Sequence, residues 1–247
     1  MIIYGKNPVK ELLADPRSRI DEIIVAKDSK KDGDPEIFAL AKKRGVRVQS
    51  LPRDAVTRLT GTASHQGVAA RVPEWEYSSV GDIIEASRSK LEKLLVVILD
   101  HLEDPQNLGA IIRTVDVLGA HGVVIPKDRA ASVTPAVIKA SAGAVNHVPV
   151  ARVTNISNVI EELKREGVWI AGADAKAPKA VYEEDLSKVD LGLVIGNEGK
   201  GISAKVREKC DFLVSIPQSG TVTSLNASVS AGVLIYEIMR QRITTTL

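Results

Sequence analysis

Three stretches of the chain carry residue types and spacings that could do chemistry. Leu193 to Gly201, LVIGNEGKG, runs an apolar segment into a glycine-rich loop, where missing side chains let backbone amides and carbonyls approach a ligand closely. A small molecule could be held there by main chain alone. The loop has no G-x-G-x-x-G, and Lys200 is followed by Gly201 instead of Ser or Thr. It therefore supports neither a dinucleotide fingerprint nor a phosphate-binding P-loop. Glu198 is either a solvated turn residue or, with a cationic partner such as Arg113, a working carboxylate. In the second stretch, Asp100 to Thr114, Asp104 and Pro105 read as the cap and first residue of a helix whose core face is Ile111, Ile112, Val115 and Leu118. Gly109 precedes Arg113 by four residues, so the two share a face. The glycine is expected to leave room beside the guanidinium for a phosphate or ribose, at ~1 kcal/mol of helix propensity. The third stretch, Ser215 to Ser230, sets small and hydroxyl residues at the start of a final helix. Ser224 there reads as an N-cap, and Asn226 can both donate to and accept from a ligand.

The elements that must position these groups alternate. Helices are expected after Asn7, which reads as an N-cap with Pro8, and after Asp34-Pro35, the latter ending at Gly45; strands are expected over 20–26, 46–51 and 67–72. That pattern reads as a small α/β layer domain over 1–73. Residues 74–93 are polar, with one short amphipathic helical segment over 83–91, and read as a linker. From 94 to 247, apolar strands over 94–99, 123–125, 147–150, 168–171, 191–195 and 212–216 alternate with helices over 107–118, 135–144, 155–165, 203–209 and 225–242. The fold class is α/β with a mostly parallel sheet. The three distinctive loops all follow strand ends, where ligands bind in such sheets.

Length and composition agree. A chain of 247 residues with 44% hydrophobic and 26% charged residues suits two globular domains. No apolar run nears the ~18 residues of a membrane span and no amino-terminal targeting pattern is present, so no membrane partner is expected and the location reads as cytoplasmic. The lone Cys210 and four scattered His residues give no disulfide and no metal spacing. Residues 1–75 hold 14 basic against 10 acidic side chains, whereas the rest holds 19 against 21, which turns the basic end toward an acidic partner such as RNA.

In order and spacing, D-x-x-x-D-P-x-N-x-G-x-x-x-R at Asp100 to Arg113, I-G-N-E-G-x-G at Ile195 to Gly201, and I-P followed by S-L-N-A-S-V at Ile216 to Val229 resemble the SpoU family of RNA ribose 2′-O-methyltransferases. The opening GKNPVKELL and the segment SHQGVAA at Ser64 to Ala70 resemble the L30e-like substrate-binding domain of one subgroup, which methylates a guanosine of bacterial 23S ribosomal RNA in the loop contacting P-site tRNA. The resemblance implies a trefoil-knotted (SPOUT) carboxyl-terminal domain, S-adenosylmethionine as cofactor, a homodimer and no metal. Carried over by motif position, Gly196, Ile216 and Leu225 would contact the cofactor, with Asn107, Arg113, Glu198 and Asn226 around the reacting ribose. The implied alternatives are a tRNA D-loop guanosine or a 23S ribosomal RNA adenosine as target, or a noncatalytic RNA-binding or ribosome-assembly protein. Two accounts of the proton stay open. Either Arg113 acts as base with its pKa lowered unusually far, or it stays cationic and a phosphate, Glu198 or water accepts.

Overall fold

The computed structural model describes residues 1–16, 18–27, 34–221 and 224–246; Val222 and Thr223, inside the third stretch, lie outside it. The chain divides into two compact units, Met1–Glu76 and Tyr77–Leu247.

The first unit runs β1 (Ile2–Tyr4), α1 (Lys6–Ala14), β2 (Glu22–Ala26), α2 (Pro35–Arg44), β3 (Arg47–Leu51), α3 (Arg53–Thr60) and β4 (Val68–Arg71). Its four strands are ordered β1-β4-β2-β3, with β2 and β3 parallel and β4 antiparallel to both its neighbours. Successive side chains of β2 point to opposite faces. Ile23 and Val25 meet Val9, Leu12, Leu13, Ile37 and Ala41 of α1 and α2, while Ile24 and Ala26 meet Val56 of α3. Burial on both faces explains why β2 reads EIIVA without alternation. Asp34 caps α2 by accepting from the Glu36 amide at 3.2 Å, and Gly45 ends it at φ 65°. Asn7 is not a cap. Helix α1 begins at Lys6 with Gly5 before it, and Gly5 holds φ 99°, a conformation open to glycine.

The second unit contains α4 (Val80–Ser89), β5 (Leu95–Asp100), α5 (Pro105–Leu118), β6 (Gly122–Pro126), α6 (Pro135–Ala140), β7 (Val150–Val153), α7 (Ile156–Arg165), β8 (Trp169–Ala173), β9 (Leu191–Gly196), α8 (Ala204–Arg207), β10 (Phe212–Val214) and α9 (Ala227–Thr246). Six strands form one sheet in the order β10-β8-β9-β5-β6-β7, parallel throughout. Helices α4 and α7 bury Ile83, Ile84, Val159, Ile160 and Leu163 against Val96, Ile98 and Val194 on one face. Helices α5 and α9 pack together against the other. The chain moves outward from β5 to β7 and then crosses back to β8 and β9, so the strand order reverses between β5 and β9. Crevices at such switch points bind ligands.

The polar stretch 74–93 reads as a linker from composition, but α4 belongs to the core of the second unit. It is opened by a capping box in which Ser79 and Asp82 satisfy each other's amides, and Val80, Ile83 and Ile84 supply one buried turn-spaced stripe. Helix α6 is shorter than its expected 135–144, because Ala142 (φ 52°) and Gly143 (φ 88°) take the left-handed conformation and stop it. The strand expected at 147–150 accordingly begins only at Val150.

Candidate functional site

Strands β5 and β9 are neighbours whose last residues, Asp100 and Gly196, are in register. Beyond them the chain makes the five-residue turn Asn197 to Gly201, closed by reciprocal backbone hydrogen bonds of 3.2 and 2.9 Å. The Asn197 side chain accepts from the amides of Gly199 and Lys200 at 3.0 and 2.8 Å, an Asx turn that sets the loop shape. Gly196 is required by contact. A Cβ there would lie 2.1 Å from the Gly201 carbonyl carbon and 2.3 Å from its oxygen.

Glu198, at the loop tip, meets residues from two other segments. Its Oε1 accepts from Asn107 Nδ2 at 2.9 Å, from Asn226 Nδ2 at 2.6 Å and from the Ala227 amide at 3.2 Å. Asn226 Nδ2 also donates to Asn107 Oδ1 at 2.9 Å, closing a triangle. The other end of the Asn226 amide caps α9: Oδ1 accepts from the amides of Ser228 and Val229 at 2.9 and 3.3 Å. The cap is thus Asn226 and not Ser224, and capping is what aims Nδ2 into the triangle. Glu198 Oε2 has no hydrogen-bond partner among the described residues.

Two expectations need correction. Glu198 takes amide partners in place of Arg113, which is exposed and makes no hydrogen bond or ion pair among the described residues. Arg113 follows Asn107 by six residues, about 9 Å along the helix axis at 1.5 Å per residue. Nor does Gly109 make room for a ligand. A Cβ there would meet Ala140 Cβ at 2.4 Å and the Ser141 amide at 2.9 Å, so the glycine exists to let α6 lie against α5.

Beside the triangle is a cavity of ≈390 Å³ lined by Gly196, Ile216 and Leu225, with Glu198 at its edge. That volume suits a nucleoside-sized ligand. Asn107, Asn226 and Arg113 are not in its wall, so the cavity and the triangle are adjoining parts of the site.

Sequence reasoning placed Asp100 at the head of the first motif but gave it no role. It is 1% exposed; Oδ2 accepts from the Ser203 amide at 2.7 Å and Oδ1 pairs with His101 Nδ1 at 2.5 Å, tying the far side of the glycine loop to β5. The signal was an acid closing the apolar run LLVVIL. Asp174 and Arg207, which line the cavity from β8 and α8, went unnoticed, because neither lies in a recognisable motif. Cys210 does not join the site. Burial pushes its thiol up to about 11, so the protonated, unreactive form prevails. Among the described residues, no three His, Cys, Asp or Glu side chains are grouped to hold a metal ion, and no helix is long and apolar enough to cross a membrane.

Comparison with known proteins matches both units. The SpoU rRNA Methylase family covers residues 94–236, and a second description, RNA 2′-O ribose methyltransferase substrate binding, covers residues 2–78. The Bacillus subtilis protein YacO, named a TrmH family tRNA/rRNA methyltransferase, is 47% identical over 240 residues, covering 97% of this chain and 95% of its own. Among solved structures, the SpoU methyltransferase AviRb of Streptomyces viridochromogenes in complex with AdoMet is 26% identical with a TM-score of 0.64, over 99% of this chain and 91% of that one. An A. aeolicus TrmH/SpoU tRNA modifying enzyme is 30% identical with a TM-score of 0.57, over 63% of this chain and 78% of that one.

Proposed function

The chain belongs to the SpoU methylase family of RNA-modifying enzymes, and from that premise we propose that it methylates the ribose 2′-hydroxyl of a guanosine in 23S ribosomal RNA, in the loop that contacts P-site tRNA. The observation that carries the chemistry is the Asn107–Glu198–Asn226 triangle, set at the switch point of the sheet beside a glycine-walled cavity. S-adenosylmethionine, when bound there, supplies an electrophilic methyl group on a sulfonium. The residues present fit it: Gly196 gives a backbone wall that no other side chain would permit, and Ile216 and Leu225 offer apolar surface to a purine.

The chain's own groups then have separable tasks. Asn107 and Asn226 fix Glu198 through Oε1, which leaves Oε2 as the acceptor for the ribose hydroxyl proton. A guanidinium rarely yields its proton, so Arg113, which has no hydrogen-bond or ion-pair partner among the described residues, is assigned to stabilising charge developing on the ribose oxygen. Much of the acceleration comes from holding oxygen and methyl in line. The protein acts in the cytoplasm as a homodimer formed through α9. There Val229, Val233, Tyr236 and Ile243 recur at helical spacing and stand between 41% and 62% exposed.

The target within RNA rests on the first unit and its match to a substrate-binding description. Relatives named for both tRNA and rRNA keep tRNA as the competing substrate. Unmodified 23S ribosomal RNA, 16S ribosomal RNA and bulk tRNA, each incubated with labelled cofactor, decide between them by mapping resistance to alkaline hydrolysis. One methyl group on a guanosine of the 23S P-site loop is expected. Label confined to tRNA replaces the substrate, and label in no RNA removes the activity.

A further inference from the structure

The cavity also has charged side chains in its lining. Its wall beyond Gly196 is made by Asp174 and Lys176, which follow β8, and by Arg207 at the end of α8. Arg207 Nη1 lies 2.6 Å from Asp174 Oδ2, and Asp174 Oδ1 accepts from the Lys176 amide at 2.8 Å, so the carboxylate is pinned to its own turn and holds the guanidinium against the cavity. Three cations line this space, namely Lys176, Lys200 and Arg207, and among them only Arg207 is fixed by an ion pair among the described residues. A surface pair of this exposure contributes ~0–1 kcal/mol to stability, too little to account for its placement. The lining also includes apolar side chains, namely Ile195, Ile216 and Leu234.

S-adenosylmethionine has the same division. An uncharged purine forms one end, while the other carries a carboxylate and an ammonium on the same α-carbon, with the reactive methyl on the sulfonium between the two ends. The geometry points to the Asp174–Arg207 pair as the clamp for the aminoacyl tail of the cofactor, Arg207 receiving the carboxylate and Asp174 the ammonium. A planar guanidinium presents several N–H donors, so it can keep Asp174 on one edge and take the carboxylate on another; each Asp174 oxygen retains a lone pair for the ammonium. With the tail held by this pair, Ile195, Ile216 and Leu234 would remain as apolar surface for the purine. This assignment rests on reading the cavity as the S-adenosylmethionine site.

Titration calorimetry on the full-length protein separates the assignment from that reading. The probes are S-adenosylhomocysteine and 5′-methylthioadenosine, which shares the purine and ribose but lacks the aminoacyl tail. Arg207→Gln and Asp174→Asn should each weaken S-adenosylhomocysteine about tenfold or more, the scale of one charge-assisted hydrogen bond, and leave 5′-methylthioadenosine within about twofold of the parent protein. Arg207→Lys should recover part of the loss. Equal weakening of both ligands, or no weakening of S-adenosylhomocysteine, overturns the clamp while leaving the cavity as cofactor site. Failure of the parent protein to bind either ligand overturns the cofactor reading and the clamp together.

Discussion

Asn226 does two things that substitution can separate. Its Oδ1 caps α9 through the amides of Ser228 and Val229, and its Nδ2 donates to Glu198 and Asn107. Asn226→Ser keeps a capping oxygen and discards the donor, whereas Asn226→Ala discards both. Loss of an N-cap costs ~1 kcal/mol. For a unit of this size that is about 2–4 °C in melting temperature, so the Ala variant should melt lower by that much and the Ser variant by little. A hydrogen bond to a carboxylate contributes ~1.5–3 kcal/mol, and the exposure of Asn226 and Glu198 discounts it to about 1–2 kcal/mol. If the triangle aims Glu198 at the ribose, that sum appears in the rate. At 1.36 kcal/mol per decade, both variants should lose roughly 5- to 30-fold in single-turnover methyl transfer. Melting is read by circular dichroism and transfer with labelled cofactor at saturating RNA. A Ser variant with the parent rate would refute the role of the triangle. A Ser variant that melts as low as the Ala variant would refute the capping account.

Three further outcomes are expected. Arg113→Ala should bind S-adenosylhomocysteine normally in calorimetry yet lose at least ~100-fold in methyl transfer, as for removal of an oxyanion-stabilising donor; near-normal turnover would take Arg113 out of the mechanism. Gly109→Ala should lower the unfolding free energy, read by denaturant titration, by about 1–3 kcal/mol despite alanine's better helix propensity, because the added Cβ would lie 2.4 Å from Ala140 Cβ; a stabilised protein would show that α6 does not need the close approach. The third concerns pH. Burial pushes His121 below the ordinary imidazole range and outweighs Glu92, whose carboxylate pairs with Nε2 at 3.0 Å and pulls the other way. Nδ1 also accepts from the Leu95 amide at 3.0 Å and cannot take a proton without losing that bond. The unfolded chain binds that proton near pH ~6.5 and the folded one resists it, so this contribution is complete above pH ~6.5 and is lost as pH falls toward the lowered value. Thermal melts of the parent should therefore decline from pH 7 to 5 more steeply than those of His121→Gln, and parallel profiles would exclude His121 as the cause.

Elements whose signals are local were legible in the letters. Asp34-Pro35 and Asp104-Pro105 state their own helix starts, and the run LLVVIL reads as a strand buried on both faces. Helix α4 was obscured because three well-spaced apolar residues are enough to bury it, while its remaining residues are those of a linker. At the site, the residue types at Asn107, Glu198 and Asn226 were visible, but their partnership was not, since hydrogen bonds across distant segments leave no periodicity. Gly109 shows the converse error. A helical glycine has several uses, and only the position of Ala140 discloses which one applies. Asp174 and Arg207 come together because β8 and α8 end on the same cavity, a fact of topology.

The triangle also sets a timetable. Its members are separated by 91 and 28 residues, and the last of them, Asn226, stands at the head of the helix that ends the described chain. Contacts of such long range form late, because the loops between them must first be closed. During synthesis the first unit and most of the six-stranded sheet leave the ribosome before α9 does, so a nascent chain can carry a folded first unit while the site still lacks one side. Competence is therefore acquired only after the final helix docks. In refolding experiments, cofactor binding should trail the recovery of helical signal, which makes ligand affinity a sensor of the last folding step.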